Sequence, residues 1–578
     1  MPADGPIRRR TFALGSNRAV PVVFALLVVA GLAVIEPSAL VVCFVHVTTA
    51  LLILLPAALA GLWLVPASPR SVPLRWHFLM GAGLGIGALS LLVLLLGSAG
   101  ILQREVWIGL LTIAAAVGIL RVRFLLKSDA RSSESARSRG LKPAARADPG
   151  ASHEERFAAR RDPVGSESAL RVEAFSGRGW VWLWLITVPF LLSALLASSA
   201  APGLLWKEEG FGYDVLEYHL QVPKEDFLEG RITYRPHNVY AAFPSNVEML
   251  YLLGMVIVDD PWEAGTTAQA IHLLLGVLTV AAVWTAAREW SPRAGTLAAV
   301  TLGTVGWLPY LSGLAYVEHG LLFFAAASAA ALIRAGTGKD SMRWTVIAGV
   351  LAGLSAGCKY TGLPMVVVPL TVAILFADYD RAFRGIVGRS FLRRMRGRHR
   401  DIARAETGDP DDENDEHARI PRCLARAALF LAAALASLSP WLIRNLAWTG
   451  NPVFPLVNTV FRGEPPGWGA EETDHWDRSH RPPVEESSAA RRFAAWWRRI
   501  AGDPDQRFGP AILLLAAAAL VGRRVSRMDI ALASVVLLQA VVWTFFTHVY
   551  ARFAVVMLPF LALLAGRTVE GRTSRGAA

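Results

Sequence analysis

The sequence predicts an all-α polytopic membrane protein with about 14 transmembrane helices, and three observations predict it. Of 578 residues, 54% are hydrophobic and 18% charged, with a mean hydropathy of +0.41; a soluble chain carries roughly 25% charged residues. Apolar runs near ~20 residues, the length a helix needs to cross a hydrocarbon core of ~30 Å, recur along the chain. The basic residues sort by side. With a cytoplasmic N-terminus and alternating loops, 42 of the 58 Lys/Arg fall on cytoplasmic segments, while the 46 Asp/Glu divide 23 and 23. The inner face is then 42 − 23 = +19 and the outer face 16 − 23 = −7, which is the positive-inside pattern. The net charge of +12 therefore records orientation and not a nucleic-acid partner. Both termini are expected in the cytoplasm, and the membrane is expected to be the cytoplasmic (inner) one.

In chain order, the spans are expected near 19–35, 39–65, 77–99, 106–120, 179–200, 264–287, 294–312, 317–333, 344–358, 360–377, 424–443, 509–522, 529–547 and 553–566. The pair 344–358 and 360–377 reads either as two spans or as one re-entrant element. Residues 1–120 form an N-terminal four-helix extension with few buried polar groups. Residues 121–178, rich in Arg, Ser, Ala and Gly, read as a cytoplasmic flexible linker. Residues 179–377 form the core and carry a long polar outer-face loop at 201–263, which Pro223, Gly230, Pro236 and Pro244 break into one or two short interfacial helices. Residues 378–423 are a charged cytoplasmic loop, 424–566 the C-terminal membrane helices with an outer segment at 444–508, and 567–578 a cytoplasmic tail. Arg8 to Arg10 precede an apolar run, but the run leads into further spans, so no cleavable signal peptide is expected. Cys43, Cys358 and Cys423 lack the spacing of a disulfide framework or zinc site. There is no GxGxxG after a strand, no P-loop, no GxSxG and no HExxH, so chemistry on cytosolic nucleotides has no support.

The candidate chemistry lies in the 201–263 loop and at the ends of spans. Asp214, Glu217 and Tyr218 stand at i, i+3 and i+4, one face of a helix. Two carboxylates so placed suit a general base or a shared cation; equally, Asp-x-x-Glu is a capping-box variant. His219, Lys224, His237 and Asn238 lie in the same loop. Glu318 and His319 open an otherwise apolar run, and an ionisable residue there is either functional or snorkelling to the interface. Lys359 follows a Gly-rich stretch and needs an anionic partner if it lies deep. Arg444 and Arg552 sit where spans emerge and suit phosphate contact or interfacial anchoring. Phe493, Trp496, Trp497 and Ile500, flanked by Arg491, Arg492, Arg498 and Arg499, predict a basic amphipathic helix on the membrane surface.

At these residues the chain resembles GT-C-type integral membrane glycosyltransferases, in the RgtA/B/C/D-like group related to protein O-mannosyltransferases and aminoarabinose transferases. The resemblance covers about 179–566. It rests on Asp214, Tyr218, Gly230 and the "AAFPSNVEMLY" stretch (241–251), then Glu318, Lys359 and Arg552. The group commonly begins its motif Asp-Glu, whereas this chain has Asp214-Val215, so the second carboxylate is either Glu217 or absent. The resemblance implies a GT-C-like core and inverting transfer of a hexosyl or pentosyl unit from a polyprenyl-phosphate donor to an acceptor hydroxyl, at the outer face. Asp214 and Glu217 would be catalytic. Tyr218, His219, Lys224, His237, Asn238, Glu318, His319, Lys359, Arg444 and Arg552 would bind substrate. No cofactor or metal is called for, a divalent cation held by Asp214 and Glu217 being the one option. The expected partners are the lipid-linked sugar donor, a glycan, lipid or protein acceptor, and the bilayer, with no nucleic acid. The competing readings are a membrane transporter or lipid-linked glycan flippase, which would gather charge at mid-membrane, and a polysaccharide polymerase.

Overall fold

A computed structural model describes residues 19–65, 72–140, 179–204, 212–336, 340–376, 419–480, 486–503, 505, 507–521, 525–547 and 549–570. Among them there is no strand. Eight helices are long and apolar enough to cross a membrane: Pro37–Trp63, Leu74–Ser98, Arg104–Ser128, Gly179–Ser199, Ala264–Ala287, Glu318–Ala335, Cys423–Thr449 and Arg527–Phe546. Shorter apolar helices occupy Ala19–Ile35, Asn246–Val258, Ser341–Ala356, Leu363–Phe376 and Pro510–Leu520. The chain is thus an all-helical, multi-pass membrane protein, as its composition predicts.

The structure resolves one open alternative, at 344–377, and differs from the sequence reading in three other places. The run expected at 294–312 is two helices, Pro292–Gly303 and Trp307–Ser312. Between them the backbone N–H of Trp307 leaves the helix ladder and donates to the carbonyl of Arg507 at 3.0 Å. The pair at 344–377 is two helices joined by a tight turn, and a Cβ on Gly362 would lie 2.6 Å from the Cα of Ala356. The polar loop contains a buried apolar helix, Asn246–Val258, in place of a purely interfacial segment. Finally, the helix that begins at Arg104 continues to Gly140, through the first part of the expected linker. Residues 141–178, most of the 378–423 loop and the 571–578 tail lie outside the described residues.

The four leading helices pack into the rest of the bundle. Leu74–Ser98 is the most enclosed of them, with Trp76 fully buried. Glu289 takes hydrogen bonds from Arg75 at 2.6 Å, the Trp76 indole at 2.8 Å and Arg334 at 3.0 Å. At the other end of the same helix the carbonyls of Gly97 and Ser98 accept from the Ile232 backbone and the Arg231 side chain, both at 3.0 Å. Those contacts hold the polar loop against the bundle.

Small residues set the closest helix contacts. A Cβ on Gly353 would stand 2.0 Å from the Ala434 carbonyl oxygen, and one on Gly349 2.4 Å from that of Phe430. Backbones that approach so closely gain dispersion contact where hydrocarbon solvent supplies no hydrophobic drive.

Candidate active site

The chain enters the site region through a π-turn, Val215–His219, directly after Asp214. Its i→i+5 hydrogen bond, Leu220 N–H to the Val215 carbonyl at 3.0 Å, widens the turn. The wider turn spreads Asp214 and Glu217 further apart around the axis than an α-helical spacing implies. Asp214 makes no capping hydrogen bond; its carboxylate accepts from the Arg552 guanidinium. Glu217 is held through its backbone carbonyl, which accepts from Asn238 Nδ2 at 2.6 Å. Asn238 Oδ1 in turn accepts from the Tyr240 N–H at 3.1 Å, pinning the short Val239–Ala242 turn against the π-turn.

Arg552 extends the network. Its Nε lies 3.5 Å from Glu318 Oε1, and Glu318 Oε1 also accepts from Lys359 Nζ at 3.0 Å. Asp214, Arg552, Glu318 and Lys359 thus form a chain of alternating charge, drawn from three remote helix ends and the loop. Glu318 opens the Glu318–Ala335 helix, where a carboxylate faces the positive end of the helix dipole. Lys359 sits in the turn that Gly362 tightens. Two rings shield the cations: Arg552 lies over Tyr316 and Lys359 over Phe553, each 4.3 Å from the ring centroid. The side chain of Glu318 is 3% exposed, whereas those of Lys359 and Asp214 are 14% and 21% exposed. The network is therefore reached from its Asp214 and Lys359 ends. Burial would raise the Asp214 carboxyl, but Arg552, with His219 and Lys359 nearby, holds it below the usual carboxylate range.

Beside this chain His219 Nδ1 bonds Glu248 Oε1 at 2.7 Å, and both are buried. His219 Nε2 has no hydrogen-bond partner. Glu248 was missed in the sequence: it stands in the apolar run of the Asn246–Val258 helix, and a carboxylate at such a position is the signal that marks it. Tyr218 stacks on Tyr240, centroids 5.0 Å apart, and Tyr251 O–H donates to the Tyr316 carbonyl.

The other candidates lie elsewhere. Lys224 rests over Trp262 at 4.9 Å, and His237, exposed, pairs with Glu225 at 3.2 Å. Arg444 is clamped between Trp441 and Trp448 and donates to the Phe243 carbonyl at 3.0 Å. His319 points away from Glu318: its ring stacks on His272 at 4.2 Å, and its Nδ1 bonds the His272 carbonyl at 2.9 Å. It lines an apolar cavity of about 540 Å³ that includes Phe24, Trp184, Phe190, Leu273 and Trp284. Among the described residues no three His, Cys, Asp or Glu side chains converge as metal ligands.

Residues 252–387 match the family model described as dolichyl-phosphate-mannose-protein mannosyltransferase. The matched stretch holds Glu318 and Lys359 and leaves Asp214 and Arg552 outside it. The chain is similar to GT-C-type membrane glycosyltransferases. Among solved structures it matches the crystal structure of ArnT from Cupriavidus metallidurans bound to undecaprenyl phosphate, at 16% identity over 67% of this chain, with a TM-score of 0.42. The match spans 59% of that protein's length. No curated protein matches the sequence.

Proposed function

We propose that the chain is an inverting glycosyltransferase that moves a sugar from a polyprenyl-phosphate donor to an acceptor hydroxyl at the outer face of the cytoplasmic membrane. The observation that carries this reading is the Asp214–Arg552–Glu318–Lys359 chain, two carboxylates and two cations assembled beside an all-helical membrane core. A phosphodiester entering it competes with Asp214 for Arg552 and with Glu318 for Lys359. Arg552, able to face two anions at once, then holds the phosphate while the bond to the anomeric carbon lengthens.

The same exchange activates the base. Paired to Arg552, Asp214 is too weak a base to deprotonate a hydroxyl early. As the phosphate takes up the guanidinium, Asp214 loses its counter-charge and gains basicity. It accepts the acceptor proton as the new C–O bond forms and the donor C–O bond breaks, and the bond electrons leave with the phosphate. The dolichyl-phosphate-mannose description of the matched family and the undecaprenyl phosphate named for the ArnT structure support this donor class. A transporter or flippase is less well served, because the charges are neutralised in a fixed cluster at helix ends.

The test is transfer of labelled sugar from polyprenyl phosphate by protein in nanodiscs. Asp214→Asn is expected to lower the turnover rate by about 10²–10⁴ while donor affinity rises, because no carboxylate then competes with the phosphate for Arg552, whereas Lys359→Ala is expected to weaken donor binding first. Wild-type turnover in Asp214→Asn sinks the assignment of the base.

A further inference from the structure

Next to the ion-pair chain, a cavity of about 520 Å³ opens between the 213–240 segment and the Ala470–Ser479 helix. Its walls combine flat rings with hydrogen-bonding side chains. Tyr240 meets Tyr213 edge to face at 6.5 Å and Trp476 at 5.6 Å, and Trp468 stands 6.2 Å from Trp476. Glu471 and His475 reach the cavity from the helix, and both are exposed.

We infer that this cavity is a carbohydrate subsite that holds the acceptor as a pyranose of a glycan; the assignment rests on the transferase reading above. Aromatic faces accept the apolar C–H face of a sugar ring, while carboxylate and imidazole groups bond its equatorial hydroxyls. A lipid tail gains nothing from Glu471 and His475. Placement agrees: Tyr213 directly precedes Asp214 in the chain, and Tyr240 is stacked on Tyr218, so two of the cavity's rings are held by the segment that carries the base.

The test is saturation-transfer NMR on the full chain in lipid nanodiscs, with maltotriose and triacetylchitotriose as probes and polyprenyl-phosphate binding measured in parallel. At least one saccharide is expected to receive saturation from the wild type. Its affinity is expected to fall about tenfold, or about 1.4 kcal/mol, in Tyr213→Ala and in His475→Ala, while Gly109→Ala, where a Cβ meets nothing, keeps it. Both substituted side chains are solvent-facing, so neither change removes core packing. If neither saccharide binds, or if both variants bind as the wild type does, the subsite is overturned; polyprenyl phosphate retained in that sample leaves the donor reading standing. Saccharide binding without polyprenyl-phosphate binding upholds the subsite and overturns the donor reading.

Discussion

Single residues in the loop show how burial and charge divide the work. Asp226 is buried, and Arg235 Nη2 donates to it at 2.6 Å. Burial pushes its carboxyl up to about 7 against the pull of that hydrogen bond. The geometry explains why one guanidinium does not win: Arg235 is shared with Glu225 and Glu229. Glu229, in turn, is held below its ordinary value by the hydrogen bonds from Arg235 and Thr233. The folded loop therefore binds a proton at Asp226 that the unfolded chain has already lost between the ordinary 3.8 and about 7. This contribution to stability is complete below that window and is lost as pH rises through about 7. The opening free energy of residues 221–240, from hydrogen exchange corrected for the intrinsic amide rate, is expected to fall across that window, with a slope of at most about 1.4 kcal/mol per pH unit. Asp226→Asn is expected to flatten it. An unchanged slope in the variant would assign the dependence to another group.

Among the helices, the joint between Ser341–Ala356 and Leu363–Phe376 places Lys359. Gly362 allows the chain to return against Ala356, where a Cβ would meet backbone atoms at 2.6 and 2.8 Å. Gly362→Ala is expected to cost about 1–3 kcal/mol by overpacking. Because the strain falls three residues from Lys359, donor affinity is expected to fall more than the melting temperature suggests. Comparing both with the same substitution at Gly109, where a Cβ meets nothing, separates the two effects. The helix Ala489–Ile500 shows the limit of reading a face from periodicity. Phe493 and Trp497 are exposed as an interfacial helix requires, and Ile500 is buried. Yet Arg492 is buried, donating to the Thr544 carbonyl at 2.9 Å, and Arg499 donates to that of Val549 at 2.6 Å. These two arginines brace the segment that carries Arg552.

For the molecule as a whole, hydropathy and charge made the membrane class legible, because span length and apolar composition are local properties. Glu318, Lys359 and Arg552 were legible as candidates for the same reason, each being an ionisable group beside an apolar run, and Asp214 by its spacing with Glu217 and Tyr218 in the polar loop. Their pairing was not legible, since 338 positions separate Asp214 from Arg552 and only the packed bundle joins them. Arg444 carried the same signal as Arg552 and sits between tryptophans, a distinction that needs coordinates. The angle between Asp214 and Glu217 was not legible either, because a π-turn cannot be told from an α-turn by spacing. Orientation rests on the sorted Lys/Arg and has a direct test. In a chain whose buried cysteines, Cys43, Cys358 and Cys423, are replaced by Ala, His237→Cys is expected to react in intact cells with a membrane-impermeant maleimide. A cysteine within 121–178 is expected to react only after lysis. The reverse pattern would invert the molecule in the membrane.

The alternating order of the ion-pair chain bears on turnover. At rest its four charges sum to zero. On the proposed path, transfer moves one negative charge from Asp214, now protonated, to the departing phosphate, and Arg552 stands between the two throughout. The total never changes; the charge only crosses the guanidinium. The spent lipid phosphate then binds more tightly than the donor did, until Asp214 gives its proton to water and reclaims Arg552. Resetting the carboxylate and ejecting the carrier lipid become one event, so an acidic exterior slows product departure before it slows bond formation.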